Sequence, residues 1–376
     1  MLKKEERKID FTLAGLIIFL VLWGLFSMGT ISFPLSLENY GNPWYYFIHQ
    51  LIMVLIGGAG FFLFLKIPLE KIKKMAPYLF LASLILAILV FLPKIGVKSG
   101  GAQRWLSFWG ISFQPAEFLK ISFLLYLSAW LSEKIKNQKK QGDLVIFATF
   151  LTMLLILFLI LIFQRDMTTL IIISLIGLIV YFSASTPLWQ SFFIAGAGVS
   201  ILFFFIKFIP YRLARILVFL NPKTEPFGIG YHLNQSLIAI GSGKFWGIDN
   251  GFGFGLSRQK FDILPHPMTD SIFAIIGEEL GFVGAIFLIA LFLFLGWRGL
   301  KIARNSPDNF CKLAALGLTS WIVIQSFLNI GGIIGIVPMG GVPLPFFSYG
   351  GSHLIAELAA MGILLNISKN QEELTL

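Results

Sequence analysis

Long apolar stretches separated by short charged ones set the pattern of this chain. Runs of roughly 20 apolar residues, the length a helix needs to cross a bilayer, begin near Phe11, Tyr46, Ala76, Gln114, Leu144, Met167, Leu188, Thr269, Phe310 and Gly350. They are rich in Leu, Ile and Phe and lack period-2 alternation, so helices fit and a transmembrane β-barrel does not. The pattern predicts an all-α, polytopic integral membrane protein with about ten transmembrane helices. The Gln164-Arg165-Asp166 break either separates two spans or interrupts one long segment across 144–185. A single transmembrane domain over 1–376 is expected, with no soluble domain, low-complexity tract or internal repeat.

Composition supports this reading. Hydrophobic residues make up 57% of the chain and charged residues 13%, against roughly 25% charge in a soluble domain. With 40 Phe, a water-soluble fold of this size could not hide its apolar surface. The net charge of +10 sits between apolar runs and therefore reads as topology before nucleic-acid binding. Lys3, Lys4, Arg7 and Lys8 precede the first span, and Lys66, Lys71, Lys73 and Lys74 follow the second. Lys134, Lys136, Lys139 and Lys140 follow the fourth, and Arg298, Lys301 and Arg304 follow the eighth. All fall on one side if ten helices alternate, which makes that side, with both termini, cytoplasmic. Met1 to Asp10 is charged and the run from Phe11 to Phe33 exceeds a signal h-region, so it reads as a retained first span. Cys311, the lone cysteine, rules out an intramolecular disulfide. Residues 209–268 then form a long extracytoplasmic loop, Gly-rich and punctuated by Pro210, Pro222, Pro226, Pro265 and Pro267. Its Tyr211, Tyr231 and Trp246 argue for structure rather than disorder.

Five constellations carry possible chemistry. Gln114-Pro115 looks like a helix start, and Gln114, Glu117 and Lys120 share one face, with Glu117 and Lys120 placed to pair at i, i+3 beside Arg104. A structural ion pair and a functional site are both open there. Thr269-Asp270 begins the eighth span, either as an ordinary helix N-cap or with Asp270 as a base at the membrane surface. Glu278 and Glu279 lie roughly 12 Å further along that helix. They differ by about 100° in direction, so they are not expected to share one contact, and a structural role is favoured for at least one. Lys98, Arg104, Arg212, Arg215, Lys244, Arg258 and Lys260 form an outer basic set interleaved with glycines, suited to an anionic ligand or to a solvated loop. Pro343, Pro345 and the Ser348-Tyr349-Gly350-Gly351-Ser352 run break helical structure at membrane depth, which survives only inside protein or along a wet cavity. No His, Cys or carboxylate spacing indicates zinc.

Several strings resemble the SEDS family, the FtsW/RodA peptidoglycan glycosyltransferases, over nearly the whole chain. They are Gly101-Ala102-Gln103-Arg104-Trp105 with Phe113-Gln114-Pro115-Ala116-Glu117-Phe118, and Gly230-Tyr231-His232 with Gln235 to Gly243. They continue with Leu264-Pro265, Thr269-Asp270, Gly277-Glu278-Glu279-Leu280-Gly281, and Pro343-Leu344-Pro345 through Gly351. The chain departs from the family at His266-Pro267-Met268, at Gln164-Arg165-Asp166, at Met28-Gly29-Thr30 and at His353. Trp246 and Gln259-Lys260 lean toward the division branch and Gly230-Tyr231-His232 toward elongation, with division favoured.

The resemblance implies a cell-wall enzyme that polymerises lipid II, a disaccharide-pentapeptide on undecaprenyl pyrophosphate, at the outer face of the bacterial cytoplasmic membrane. It implies Asp270 as the catalytic base. The implied substrate-binding set is Arg104, Gln114, Glu117, Lys120, Arg212, Arg215, Gln235, Ser236, Lys244, Lys260, Thr269 and Ser348. Glu278, Glu279, Pro343, Pro345, Gly350 and Gly351 are implied as structural. The implied partners are membrane lipid and a class B penicillin-binding protein transpeptidase. No nucleic acid and no required cofactor are expected, while a divalent cation, Mg or Mn, could share the pyrophosphate charge. A transporter of lipid-linked precursor and a non-catalytic scaffold are the alternative functions.

Overall fold

The computed structural model describes residues 9–93, 95–99, 101–108, 111–136, 143–184, 186–187, 189–190, 192–198, 200, 217–221, 228, 230–251, 253–261 and 263–369. Its elements are α1 (Phe11–Tyr40), α2 (Tyr45–Lys66), α3 (Leu69–Leu89), β1 (Gly96–Ser99), β2 (Ala102–Phe108), β3 (Ile111–Phe113) and α4 (Pro115–Lys136). There follow α5 (Asp143–Phe163), α6 (Met167–Ser183), α7 (Gly230–Ser242), a single 3₁₀ turn (Ile248–Gly251), α8 (Ile272–Arg304), α9 (Asn309–Ile333) and α10 (Gly351–Ser368). Among the described residues seven helices, α1, α2, α3, α5, α8, α9 and α10, are long and apolar enough to cross a membrane, and α6 is a shorter apolar helix. α4 matches α2 in length at 22 residues but turns Glu117 and Lys120 into the bundle. The span expected near Leu188 lies partly outside the described residues, with 192–198 helical.

Sequence pattern explains most of these boundaries. Asp10 caps α1 by accepting from the Leu13 N–H at 2.9 Å, and Pro115 opens α4 at the position where a missing N–H costs nothing. The Gln164-Arg165-Asp166 break separates two helices: Arg165 takes φ 58°, and Asp166 caps α6 through the Thr169 N–H. α3 starts at Leu69, earlier than the apolar run near Ala76, so Lys71, Lys73 and Lys74 lie on its first turns. The three-stranded antiparallel sheet β1-β2-β3 was not expected. Strands of four, seven and three residues are too short for alternation to stand out between two spans.

Contacts sort the bundle into two ends. At one end Arg298 pairs with Asp10 at 2.5 Å, the Asp10 N–H donates to Ser368, and Lys369 donates to the Leu65 carbonyl. Lys66, Lys73, Lys134, Lys301 and Arg304 belong to the helix termini at this end. The opposite end holds the sheet, the α5–α6 turn, α7 and the segments before α8 and α10, joined by Thr168 to Gly340 at 2.7 Å and Tyr349 to Met268 at 2.7 Å. α10 is the most enclosed of the seven spans, 89% buried, and packs against α2, α4, α9, α8 and α1.

α8 is continuous by its ends and broken in its backbone. Gly281 has φ 66° and ψ −164°, a region open essentially to glycine. The N–H groups that the break strands, on Phe282 and Val283, donate to the carbonyls of Lys244 at 2.9 Å and Phe245 at 3.2 Å. The segment after α7 thus crosses the break and completes it. A Cβ on Gly281 would sit 2.2 Å from the Gly247 nitrogen. Gly281→Ala is therefore expected to lower unfolding free energy by about 2–5 kcal/mol. Gly60→Ala, where an added Cβ meets nothing within 4 Å, should stay within about 0.5 kcal/mol. Denaturation in mixed micelles compares the two; equal stabilities would refute the account of the break.

Candidate active site

The turn between Pro265 and Ile272 is built from backbone and small hydroxyls. His266 takes φ 53°, and its carbonyl accepts from the N–H groups of Thr269 at 3.2 Å and Ser271 at 3.3 Å. The Ser271 hydroxyl donates to the Pro265 carbonyl at 2.9 Å and meets His232 Nε2 of α7 at 2.5 Å. Because the serine proton goes to the carbonyl, His232 donates from Nε2 in this arrangement. α8 starts at Ile272 with Ser271 at the cap position. Neither Thr269 nor Asp270 is the N-cap, so the ordinary reading of that pair is removed.

Three successive carbonyls of the turn are tied down from other elements. Met268 accepts from the Tyr349 N–H at 2.7 Å, Thr269 accepts from the Ser348 hydroxyl, and Asp270 accepts from Asn329 Nδ2 of α9 at 2.8 Å. Asn329 Nδ2 also donates to Val342 at 2.6 Å. Such over-determination holds the Asp270 backbone while its half-buried side chain faces a cavity of about 300 Å³. His232, His266, Asn329, Gly340, Gly341 and Val342 line the same cavity. Gly341 has φ 66°, and a Cβ there would lie 3.3 Å from Asp270 Oδ2. Glycine permits that backbone conformation and this close approach to the carboxylate.

Behind the cavity runs a buried polar chain. Glu117 and Lys120 pair at 2.8 Å on α4, as their i, i+3 spacing implied. Lys120 donates to Gln325 at 2.9 Å and lies 4.9 Å from the Trp321 ring centre. Gln325 donates to Glu357 of α10 at 3.0 Å and to the Pro343 carbonyl at 3.2 Å. Glu357 accepts from the Phe346 N–H at 2.9 Å. The chain therefore fixes Pro343–Phe346, and Ser348 two residues later fixes Thr269.

Residues 11–373 match the FtsW/RodA/SpoVE family model, described as cell cycle proteins. The chain belongs to that family. It is 36% identical to a probable peptidoglycan glycosyltransferase FtsW of Trichlorobacter lovleyi, over 98% of this chain and 96% of that one. It is 34% identical to stage V sporulation protein E of Bacillus subtilis, over 96% and 97%. Among solved structures it resembles a chain from work on polymerization and crosslinking by a peptidoglycan synthase complex. That match has TM-score 0.78 and 24% identity and covers 97% of this chain and 99% of that one. It also resembles the rod shape determining protein RodA of Thermus thermophilus, with TM-score 0.71, 23% identity and coverage of 97% and 98%. These likenesses establish the fold: a multi-pass protein of the bacterial cytoplasmic membrane.

In this FtsW/RodA-type fold, several of the expected substrate contacts are buried and engaged within the protein. Glu117 and Lys120 are 4% and 1% exposed and pair with each other, and Lys120 carries the connection on to Gln325 behind the cavity. Ser348 is fully buried, with its hydroxyl accepting from the Leu344 N–H and donating to Thr269. Ser236 is buried and bonds the His232 carbonyl one turn back in α7. Lys260 turns inward onto the carbonyls of Gly255 and Thr30. Burial pushes its ammonium below the ordinary lysine range, and Glu279 and Glu278 partly offset this. Gln114 is half-buried, its side chain donating to Asp166 at 3.4 Å and its backbone N–H to Ser352 at 3.0 Å. Gln235 is half-buried and Lys244 exposed, both away from the cavity lining, while Thr269 stands beside Asp270 in the turn. Arg104 sits on β2, and Arg212 and Arg215 lie outside the described residues.

Glu278 and Glu279 do share a partner, contrary to the angular argument. Glu278 accepts from the Ser257 hydroxyl and Arg258 N–H, and Glu279 from the Ser257 N–H at 3.4 Å. The segment 255–258 wraps the helix just before its break and reaches both sides. Pro343 and Pro345 shape the tethered segment. Gly350 and Gly351 admit His353 and Met53, which an added Cβ would meet at 2.6 Å in each case. Among the described residues no group of three or more His, Cys, Asp or Glu is arranged to hold a metal.

His232 enters the sequence reading only within the Gly230-Tyr231-His232 string, and Asn329, Gln325 and Glu357 do not enter it. Gln325 and Asn329 stand four apart on apolar α9, and Glu357 is an acid inside α10. A polar residue inside a span was the available signal for all three.

Proposed function

We propose that this chain is a peptidoglycan glycosyltransferase that polymerises lipid II, with Asp270 as general base. The observation that carries the reading is the Asp270 carboxylate, held on a fixed backbone at a cavity between spans. The names of the FtsW relatives supply the substrate class. The cationic helix ends around the Asp10–Arg298 pair support a cytoplasmic placement for that end. The cavity then opens at the outer face, where the lipid-borne sugars of the substrate lie.

In this reading Asp270 accepts the proton of the acceptor sugar hydroxyl as its oxygen bonds to the donor anomeric carbon. The bond from that carbon to the pyrophosphate oxygen breaks, and undecaprenyl pyrophosphate leaves with the electron pair. Among the described residues no side-chain cluster forms a metal site, and the step is carried by Asp270. A class B penicillin-binding protein is the proposed partner, cross-linking the strand as it emerges.

Purified protein given lipid II is expected to yield glycan polymer and undecaprenyl pyrophosphate. Movement of labelled lipid II across vesicles without polymer, alone or with the transpeptidase, would overturn the reading in favour of a transporter.

A further inference from the structure

Gln164, Arg165 and Asp166 separate α5 from α6, and the two flanking side chains point inward. Gln164 is fully buried and donates to the Ala87 carbonyl at 2.7 Å. Asp166 is 3% exposed and accepts from the Thr169 N–H at 3.2 Å and the Thr169 hydroxyl at 2.9 Å. Arg165 between them is forced to φ 58° and stands exposed. A left-handed backbone is unfavourable for any residue with a Cβ, yet this position carries the largest cation.

The Arg165 guanidinium is not loose. Its Nη1 donates to the Gly101 carbonyl at 3.0 Å, at the β1–β2 turn. Arg104 on β2 reaches back, donating from Nη2 to the Arg165 carbonyl and from Nε to the Gln164 carbonyl at 3.4 Å. Each arginine is thus anchored by the other's surroundings. A guanidinium has five N–H donors; Arg104 spends two on these carbonyls and Arg165 one. Among the described residues neither lies within 4.0 Å of a carboxylate. Two fixed, uncompensated forks at the boundary of a membrane match phosphate oxygens in charge and geometry.

The α5–α6 turn is tied to the candidate site. Thr168, three residues after Arg165 in the first turn of α6, donates to the Gly340 carbonyl at 2.7 Å, and Gly340 lines the Asp270 cavity.

We propose that Arg104 and Arg165 form a phosphate clamp that holds the pyrophosphate of the polyprenyl-linked substrate. The assignment of the anion rests on the polymerase reading; the clamp itself rests on the arginine geometry. The clamp would orient the donor and take up charge on the departing pyrophosphate.

Arg165→Gly is the decisive variant, because it removes the cation and relieves the positive φ, so the fold should be at least as stable. Protein in phosphatidylcholine nanodiscs is titrated with inorganic pyrophosphate, and polymerisation of lipid II is measured in parallel. Arg165→Gly is expected to weaken pyrophosphate binding by about tenfold or more and to slow polymerisation. Arg165→Lys should fall between. Equal pyrophosphate affinity in wild type and Arg165→Gly overturns the clamp. A second arm adds phosphatidylglycerol to the nanodiscs. If that lipid competes with pyrophosphate and Arg165→Gly polymerises at the wild-type rate, the anion is a phospholipid headgroup and the substrate assignment is overturned. If wild type forms no polymer while pyrophosphate binding still depends on Arg165, the polymerase reading fails and the clamp stands.

Discussion

Asp270→Asn is expected to lower lipid II polymerisation by a factor on the order of 10²–10⁴, the usual contribution of a general base, with the fold unchanged. The substitution keeps the size of the side chain and removes its capacity to accept a proton. It leaves every backbone tether in place, since Asn329, Ser348 and Tyr349 all bind carbonyls of the turn. Because Ser271 occupies the cap position of α8, no helix cap is lost. A large fall in rate with an unchanged unfolding midpoint would separate chemistry from structure. Full activity in Asp270→Asn would end the base assignment, and loss of folding would show that the carboxylate is structural. Gly341→Ala provides an independent probe of the same carboxylate. Its Cβ would stand 3.3 Å from Oδ2 on a backbone at φ 66°, so the rate should fall there with both acid and base groups intact.

The spans were legible because a bilayer demands length and apolarity, and both are local properties of a sequence. The same locality explains Pro115 at the start of α4 and the Glu117–Lys120 pair, which needed only a helix to bring them together. The break in α8 was hidden. Gly281 sits inside an apolar run like any other, and its backbone is set by Lys244 and Phe245, almost forty residues away in sequence. The small sheet was hidden for a different reason, since its longest strand has seven residues.

The site was half legible. Asp270 and its turn stood out by resemblance, but the roles around it depend on which way side chains face. Lys260 and Ser348 have the chemistry of substrate contacts, and both are turned inward and used by carbonyls. Asn329 and Glu357 were passed over because one amide or one acid in a span does not reveal its partner. In the folded chain they are the residues that hold Asp270 and Phe346 in place.

Lys120→Met is expected to cost about 3–5 kcal/mol of unfolding free energy, the range for stripping one partner from a buried ion pair. Lys120 is the cation of a chain that contains two carboxylates, Glu117 at 2.8 Å and Glu357 one amide further on through Gln325. Methionine fills the volume but leaves Glu117 charged, buried and unpaired. Glu117→Gln combined with Lys120→Met removes both charges and should recover much of the loss, since an uncharged buried pair avoids the desolvation cost of an orphaned ion. The two variants should also part in activity. With Lys120 gone, Gln325 loses one of the donors that orient it, and through Gln325 and Glu357 the Pro343–Phe346 segment loses its anchor. Ser348 would then hold Thr269 on a looser support, and polymerisation should fall even at temperatures where Lys120→Met stays folded. Denaturation in mixed micelles and the lipid II assay read the two effects. A Lys120→Met protein within about 0.5 kcal/mol of wild type, or a double variant no more stable than the single one, would show that the ion pair does not carry the site.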